Sequence, residues 1–318
     1  MPKISIIIPV YKVEKYIERC ARSLFEQTLD DIEYIFVDDC SPDKSIAILE
    51  NIIKEYQPRL NKEHKNVRIE KMSQNSGLPN VRRYGIKLAT SDYIAHCDSD
   101  DWVELDMYQQ MYNKAIEEDA DVVVCDYVVT NGTSVIKTIN ACHAKTPGQL
   151  IENCLFQRDP WPLWNKLFKR KAYSNIEYPK GAMGEDLVTT IQLFMNVTKL
   201  SYISKSYYHY FQNPTSIIHQ QSEAAVLRRF HQLLDNTNIA IRHLEESKDF
   251  HYIVGCAKPL MLMNACMPLL ALFEDREIRK IWRQACPHLS LWYLIKTPFP
   301  IYSKYSYVKH TIKYWLTK

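Results

Sequence analysis

The sequence predicts an α/β fold, in which a mostly parallel sheet is flanked by helices and followed by a helical region on the C-terminal side. Three observations indicate this fold class. β-Branched runs alternate with amphipathic segments up to about residue 130, two of these runs end in carboxylate-rich loops, and glycine nearly disappears beyond about Gln220. A chain of 318 residues is long enough to bury a sizeable core and to carry an appended part.

The first two strands are predicted at Ile4–Val10 and Ile32–Val37, because continuous apolar runs are typical of strands that are covered on both faces. Between them, apolar residues from Val13 to Leu24 recur at helical spacing. After the second strand, Ser41 followed by Pro42 predicts the start of another helix. This order of strands and helices is the βαβ pattern of a parallel sheet.

The remaining elements follow in the same alternating order. Strands are predicted at Val67–Lys71, Tyr93–His96 and Val122–Cys125, and helices at Leu78–Leu88 and from Leu105 to Ala115. The weakly patterned residues 130–147 are expected to form an excursion or an extra hairpin. We therefore expect an α/β domain over residues 1–218 and a helical region over residues 219–318.

The composition limits the compartment and the partners. A formal net charge of +3 gives no argument for a nucleic-acid partner, and nine cysteines without a C-x-x-C pair indicate reduced core residues of a cytoplasmic protein. The first residues lack the pattern of a secretory signal. The apolar stretch Pro259–Phe273 is interrupted by Asn264 and Pro268 and is too short to be expected to cross a membrane.

Two predicted strands end in acidic loops, Asp38 with Asp39 and the segment Asp98–Asp101. Ligands of open parallel sheets bind beyond the carboxyl ends of the strands, so these loops locate a candidate site. Clustered carboxylates repel one another unless a cation compensates them, and Mg²⁺ or Mn²⁺ commonly takes one or two carboxylates together with substrate phosphates. The alternative for Asp98–Asp101 is a solvated turn that caps the next helix.

Four segments resemble, in this order, family 2 of the glycosyltransferases, whose fold is called GT-A: Pro9–Lys12, Val37–Asp43, Asn75–Arg83 and Asp98–Asp101. The resemblance covers about residues 3–130 and is specific as an ensemble. It implies a Rossmann-like nucleotide-binding domain and an inverting hexosyl- or N-acetylhexosaminyltransferase of the bacterial polysaccharide type. The implied donor is a nucleotide-diphosphate sugar, most often a UDP-sugar.

The resemblance also implies roles for donor-site residues. Pro9 and Tyr11 would line the nucleotide pocket, Asp39 would hold the base, and Asn75 would join the nucleotide-sugar site. Arg82 occupies the position of the family's A-R-N arginine and would approach the nucleotide or the diphosphate. Its neighbours depart from the motif, because valine precedes it and a second arginine follows.

For the metal, the resemblance implies that Asp100 is the main ligand of a D-x-D element and that Asp98 lies near the ribose and the ion. His209, in an aromatic segment that resembles a late family element, is a further candidate ligand, with a hydrogen-bonded core histidine as the alternative. Phe211 stands where many family members have arginine.

On the acceptor side, Glu185 and Asp186 resemble the family's E-D element. Asp186 would take the proton of the acceptor hydroxyl, with Glu185 as the alternate base, and a helix N-terminus with favourable charge is the alternative reading. Trp164 and Lys166 resemble a W-x-K-L element that would contact sugar and phosphate, although the tryptophan is equally compatible with a core position.

The expected partners are therefore a nucleotide-sugar donor and a glycan or lipid-linked acceptor, with no nucleic acid. Residues 278–318 contain lysine, arginine, tryptophan and tyrosine but no aspartate or glutamate, which predicts peripheral contact with the inner face of the cytoplasmic membrane. A C-terminal helix packed on its own domain is the alternative. A nucleotidyltransferase and a non-catalytic nucleotide-sugar-binding module also stay open, whereas an NAD enzyme is excluded because no G-x-G-x-x-G follows the first strand.

Overall fold

A computed structural model of the chain describes residues 1–213, 220, 222–286, 293, 305, 308 and 309. The strands are β1 (Ile4–Val10), β2 (Ile32–Asp38), β3 (Asn66–Lys71), β4 (Tyr93–His96), β5 (Trp102–Val103), β6 (Val122–Thr130), β7 (Val135–Ile139), β8 (Lys166–Lys169) and β9 (Leu200–Phe211). The helices are α1 (Ile17–Phe25), α2 (Ser45–Lys62), α3 (Leu78–Leu88), α4 (Met107–Glu117), α5 (Pro147–Leu155), α6 (Glu185–Met195), α7 (Glu223–Glu246), α8 (His251–Cys266) and α9 (Arg276–Ala285).

Within the described residues the strands form one sheet in the order β3-β2-β1-β4-β8-β6-β9-β5, and β7 pairs with β6. The first four strands of this order are parallel, with Ile4 opposite both Ile32 and Tyr93. Strands β1 and β2 are buried along nearly their whole length, as their apolar runs predict. The α/β class predicted from the sequence is confirmed.

The other half of the sheet is more antiparallel than the sequence predicts. β8 runs antiparallel to β4 and β6 on either side, and β6 pairs antiparallel with β7 in the hairpin expected near residue 130. β6 and β9 are parallel, with register shifts around Asp126. The sheet is therefore mixed, because the pairing of β8 depends on contacts between distant segments that no local pattern encodes.

The start of α2 also differs from the expectation. Ser41 and Pro42 do not begin the helix, which starts at Ser45. The carboxylate of Asp43 accepts hydrogen bonds from the backbone N–H and the hydroxyl of Ser45 and from the hydroxyl of Ser41. This local network satisfies the donors at the entry and moves the helix start toward the C-terminus.

The helical region is part of the same core. Buried side chains of α7 and α8 belong to one hydrophobic cluster with the sheet, among them Phe230, Ile239, Leu244 and Leu260. The predicted boundary after residue 218 lies outside the described residues, so it stays a prediction. The packing shows that α7 is integrated with the preceding domain.

One segment of the described chain has the length and composition to cross a membrane, namely His251–Leu272 with 22 residues. The sequence-based expectation of a shorter stretch was wrong on length, because the helix continues through Pro259 back to His251. Half of its most apolar window is buried within the fold. Most of the basic and aromatic segment 278–318 lies outside the described residues.

Candidate active site

The candidate site lies at the carboxyl ends of the parallel strands β1, β2 and β4. Pro9 is half-buried near the end of β1, and Tyr11 follows with 41 % of its surface exposed. The loop after β2 carries Asp39 and the loop after β4 carries Asp98 and Asp100. This is the edge at which open α/β sheets bind ligands.

Asp39 is buried and holds the loop that precedes α3. One carboxylate oxygen accepts the backbone N–H of Ser76 at 2.7 Å and the other accepts that of Gly77 at 2.9 Å. The side-chain amide of Asn75 donates to the backbone carbonyl of Asp39 at 3.2 Å. Gly77 has a φ of +80°, a conformation that glycine adopts without strain. Asp39 and Asn75 are thus in contact, and their predicted roles toward a nucleotide stay predictions.

The acidic loop after β4 is tied to β9 through Asp101. This carboxylate accepts the hydroxyl of Tyr208 at 2.8 Å and the backbone N–H of Phe211 at 2.7 Å. The Tyr208 oxygen also accepts the backbone N–H of Asp98 at 3.0 Å. Burial, with Asp100 and Asp98 nearby, raises the pKa of Asp101 well above its usual range. Asp101 therefore organises the loop from inside the fold.

Asp100 is supported from α1. Arg19 donates to its backbone carbonyl at 2.9 Å, and Asn213 donates to the carboxylate oxygen Oδ2 at 3.1 Å. The Arg19 guanidinium lies 3.6 Å from the ring centroid of Trp102 and 5.0 Å from that of Phe211, so two aromatic rings hold it. Burial, then the charge of Asp98, raises the pKa of Asp100. No local sequence pattern indicates this role of Arg19, because its partners are distant in the chain.

Arg82 is the centre of the site and is 3 % exposed. It donates to Asp98 at 2.7 Å and to Asp186 at 3.2 Å, and it forms an ion pair with Glu185. Arg82 and Asp98 come from the donor-side half of the sheet, whereas Glu185 and Asp186 begin α6, about a hundred residues later. The structure therefore brings together carboxylates that the sequence analysis assigned to separate tasks.

The two carboxylates of α6 differ in environment. The side chain of Glu185 is 6 % exposed and that of Asp186 is 32 % exposed. Burial raises the pKa of both, and the neighbouring Arg82 opposes this rise. Asp186 is thus the more accessible of the two candidate bases, and Gly184, with a φ of +76°, allows the chain to turn immediately before them.

Trp164 and Lys166 are placed differently from the expectation. Trp164 is 5 % exposed, and its ring stacks on Tyr208 at 4.2 Å and on Tyr210 at 5.6 Å, so the core position applies. Lys166 is buried, and its ammonium donates to the backbone carbonyl of Pro162 at 2.6 Å and to the side chain of Asn165 at 2.8 Å. Burial lowers the pKa of Lys166. Neither side chain presents an open surface to a sugar or a phosphate in this arrangement.

His209 also lies away from the acidic loop carboxylates. Its ring stacks on Trp102 at 4.8 Å, and Nε2 lies 2.7 Å from the carboxylate of Glu104. Side chains alternate between the two faces of a strand, and the neighbouring Tyr208 is the one that reaches Asp98 and Asp101. The expectation that His209 ligates a metal together with Asp98 and Asp100 does not agree with this geometry.

The donor set for a divalent cation is smaller than predicted. Across the part of the chain that the structure describes, no three His, Cys, Asp or Glu side chains are grouped so that they could hold a metal ion. In the acidic loop, Oδ1 of Asp98 accepts a hydrogen bond from Arg82, and Oδ2 of Asp100 accepts one from Asn213. The other oxygen of each of these two carboxylates could bind a divalent cation. Such a cation would take its remaining ligands from a diphosphate and from water.

A cavity of about 590 Å³ borders the start of α6 and is lined by residues on either side of the E-D pair, but by neither of the two carboxylates. Gly184 and Leu187 form one wall, Tyr127 and Trp161 another, and Leu233 of α7 and Met261 of α8 contribute further sides. Its volume is in the range of small-molecule sites, and its lining combines apolar side chains and two aromatic rings with charged and polar side chains. No local sequence pattern indicates this cavity, because its walls come from five separate segments.

The sequence and the fold are similar to those of known proteins. A sequence profile described as Glycosyl transferase family 2 matches residues 5–179, more than half of the chain. The chain belongs to glycosyl transferase family 2. The match confirms the resemblance read from the acidic and arginine-bearing segments, and it covers the donor-side residues but ends before the E-D pair that begins α6.

Among family 2 relatives, the chain is 28 % identical over 281 residues to the uncharacterized glycosyltransferase EpsJ of Bacillus subtilis, covering 84 % of this chain and 79 % of EpsJ. It is 32 % identical over 226 residues to the putative glycosyltransferase EpsH of the same organism, covering 68 % of this chain and 63 % of EpsH. It is 32 % identical over 213 residues to a poly(ribitol-phosphate) beta-glucosyltransferase of Bacillus spizizenii, covering 66 % of this chain and 32 % of that protein.

Solved structures show the same GT-A-like fold. Residues 1–349 of TarS from Staphylococcus aureus, in complex with UDP-GlcNAc, match with a TM-score of 0.57 at 19 % identity, covering 90 % of this chain and 93 % of that one. The mannosyltransferase PcManGT of Pyrobaculum calidifontis, in complex with GDP-Man and Mn²⁺, matches with a TM-score of 0.56 at 17 % identity, covering 89 % and 79 %. At these identities the likeness concerns the fold.

Proposed function

We propose that this family 2 glycosyltransferase is an inverting, metal-dependent enzyme that transfers a hexosyl or N-acetylhexosaminyl group from a nucleotide-diphosphate sugar, with a UDP-sugar favoured, to a hydroxyl of a glycan or lipid-linked acceptor. The proposed setting is the synthesis of a cell-surface polysaccharide. The observation that carries the proposal is the ion-pair cluster on Arg82, which joins Asp98 to Glu185 and Asp186. In this proposal Asp98 serves the donor side and Glu185 with Asp186 the acceptor side, and the shared Arg82 holds the two sides close together.

The donor half of the proposal uses the loops after β1, β2 and β4. Pro9 and Tyr11 would line the base, and Asp39 with Asn75 would shape the loop beside it. TarS, the fold neighbour, is crystallised with UDP and with UDP-GlcNAc, which supports a uridine nucleotide. The base recognition by Asp39 would require its carboxylate to share the hydrogen bonds that it now accepts from Ser76 and Gly77.

Asp98 and Asp100 would hold a divalent cation, Mn²⁺ or Mg²⁺. When bound, such an ion stabilises the negative charge that develops on the leaving diphosphate. The mannosyltransferase with the same fold was crystallised with Mn²⁺, which supports this proposal. Within the protein, Arg82 neutralises part of the surrounding carboxylate charge, and Arg19 with Asn213 fixes the position of Asp100.

Asp186 would act as the general base. Its carboxylate would accept the proton of the acceptor hydroxyl while that oxygen attacks the anomeric carbon from the face opposite the leaving diphosphate. Glu185 would remain against Arg82, because its side chain is more deeply buried. The direct displacement inverts the anomeric configuration, and the proton ends on Asp186.

The acceptor would enter through the cavity bounded by Gly184 and Leu187. Its aromatic residues Tyr127 and Trp161 provide ring faces of the kind on which sugars stack. The cavity borders the start of α6 but is not lined by Asp186, so the proposal requires the acceptor hydroxyl to extend past Gly184 or Leu187 to reach that carboxylate. This placement is compatible with a glycan and with a lipid-linked saccharide.

The test is a donor screen with purified protein. UDP-, GDP- and dTDP-sugars are incubated with Mn²⁺, Mg²⁺ or EDTA, with and without oligosaccharide acceptors, and nucleotide release is measured. We expect release of UDP with a divalent ion, and its loss in Asp186→Asn while the exposed control Asp249→Asn retains it. Equal release by Asp186→Asn and the wild type would remove Asp186 as the base.

Peripheral attachment to the inner face of the cytoplasmic membrane is a separate part of the proposal. It rests on the composition of residues 278–318, in which basic and aromatic residues occur without carboxylates. Flotation with anionic liposomes, comparing the full chain with a form ending at residue 277, tests it. Equal flotation of the two forms would contradict it.

A further inference from the structure

Helix α7 holds in place the loop that precedes Asp186, the candidate base. Asn236 is fully buried in the middle of this helix. Its side-chain amide donates to the backbone carbonyls of Gly181 and Met183, both at 2.8 Å, and its carbonyl accepts the backbone N–H of Lys180 at 2.9 Å. One side chain thus satisfies three backbone groups of a loop that has no regular secondary structure.

The neighbouring residues of α7 complete the contact. Gln232 accepts the backbone N–H of Met183 at 3.3 Å, and its side chain lies so close to Gly181 that a Cβ there would meet it at 2.5 Å. Leu233 lies against Gly184, where a Cβ would come within 3.2 Å of it. Two glycines therefore allow the loop to lie directly on the helix.

The far end of the same segment is also fixed by α7. Glu177 forms an ion pair with Arg242 of this helix, and its carboxylate lies within hydrogen-bond distance of the ring of His243, at 3.1 Å. The side chain of Gln192 of α6 exchanges two hydrogen bonds with the backbone of Glu177, both at 2.8 Å. Segment 177–184 is thus held at its start, its middle and its end, and α6 begins immediately after it.

We infer that Asn236, assisted by Gln232, is a positioning residue for the general base. The side-chain hydrogen bonds of Asn236 go to Lys180, Gly181 and Met183, and not to the Arg82 cluster. They hold the loop so that Gly184 can turn and direct Asp186 toward the acceptor hydroxyl. The inference rests on the proposed role of Asp186. It assigns to the C-terminal helical region a part in catalysis that a merely appended domain would not have.

Loss of the Asn236 side chain should therefore lower turnover and leave donor binding unchanged. A displacement of about 1 Å of a catalytic group costs on the order of a hundredfold in rate. The donor loops carry none of the contacts made by Asn236. We therefore expect Asn236→Ala to lower kcat at least tenfold, while the donor KM stays within twofold of the wild type.

The experiment compares Asn236→Ala and Gln232→Ala with Asn238→Ala, which removes an exposed asparagine from the same helix. UDP titration calorimetry gives the fraction of binding-competent protein, so that kcat is referred to folded sites. Hydrogen exchange of residues 180–184, followed by mass spectrometry of short peptides, reports the position of the loop without any turnover. We expect faster exchange there in both test variants and wild-type exchange in Asn238→Ala.

Unchanged exchange at residues 180–184 in Asn236→Ala would overturn the inference, and so would faster exchange with kcat within twofold of the wild type. If Asn236→Ala does not fold, Gln232→Ala, which loses one hydrogen bond, decides by the same two readouts. A failure of the proposed function is distinguishable. In that case the wild-type protein would not consume a UDP-sugar. The hydrogen-exchange result would still show whether Asn236 of α7 holds the loop in place.

Discussion

Replacement of Arg82 by methionine tests whether this arginine stabilises the three carboxylates with which it forms ion pairs. The methionine keeps an unbranched apolar stem, but the carboxylates of Asp98, Glu185 and Asp186 lose their shared cation. Removing one partner of a buried ion pair costs about 3–5 kcal/mol, because the remaining charge is uncompensated. Since Asp98 and Asp186 keep 27 % and 32 % of their side-chain surface, the main contribution comes from Glu185. We expect a loss of about 3 kcal/mol in the free energy of unfolding at pH 8.

The loss should depend on pH in a defined direction. Burial already raises the pKa of Glu185 and Asp186 in the folded protein, and without Arg82 the rise is larger. A group with a raised folded pKa contributes stability below its unfolded pKa and loses it as the pH rises through the folded value. The deficit of Arg82→Met relative to the wild type should therefore shrink between pH 8 and pH 5.

Urea denaturation followed by circular dichroism measures this at both pH values. The matched control is Arg83→Met, the next residue, which is exposed and lies 5.1 Å from the ring of Tyr178. That contact is worth less than about 1 kcal/mol at an exposed position, and no pH dependence is expected. Equal losses for the two variants, or a deficit for Arg82→Met that is constant with pH, would refute the reasoning.

The remaining predictions concern single residues of the site. Asp100→Asn should lower metal-dependent transfer about a hundredfold or more, because charge stabilisation at the leaving group is lost; steady-state kinetics over a Mn²⁺ series would show this, and wild-type rates would contradict it. His209→Ala should leave the Mn²⁺ concentration for half-maximal activity within twofold, since the ring faces Glu104; a marked increase would return His209 to the metal site. Trp164→Ala should lower the free energy of unfolding by about 3–5 kcal/mol, as measured by urea denaturation, because a buried stacked ring is removed; a changed donor KM without a loss of stability would indicate a sugar contact instead.

The parallel half of the fold is predictable because its signals are local. Apolar runs that end in acidic loops and alternate with amphipathic helices determine β1, β2 and β4 with errors of about one residue. The antiparallel strand β8 inserts between β4 and β6, and its pairing depends on residues more than 40 positions away. Such long-range pairing leaves no periodic trace, which explains why the sheet was predicted as mostly parallel.

The site divides in the same way. The acidic loops, Arg82 and the E-D pair are found in the sequence, because a family resemblance names their types and their order. The residues that hold these groups in position are not indicated by any sequence pattern. Arg19 donates to the backbone carbonyl of Asp100 while two aromatic rings hold its guanidinium, and Asn236 hydrogen-bonds to three backbone groups of the loop before α6. The partners of both residues are distant in the chain and meet only in the folded structure.

Aromatic and basic residues have more than one use, and the fold places three of the predicted site residues differently from the expectation. Trp164 and Lys166 fit a sugar-contacting pattern, yet the fold buries both, and the ammonium of Lys166 has acceptors within the chain. His209 lies one residue from Tyr208 on a strand, and the alternation of side chains places the hydroxyl of Tyr208, and not the imidazole, at the acidic loop.

The most direct test is a crystal structure of the wild-type protein with UDP and Mn²⁺, using anomalous scattering to locate the metal. We predict an anomalous peak within about 2.5 Å of carboxylate oxygens of Asp98 or Asp100 and of a diphosphate oxygen. The same map should show the uracil near Asp39 and Asp186 facing the space beyond the diphosphate. An Mn²⁺ ion and a nucleotide bound away from both Asp100 and the Arg82 cluster would contradict a common site for donor, cation and base.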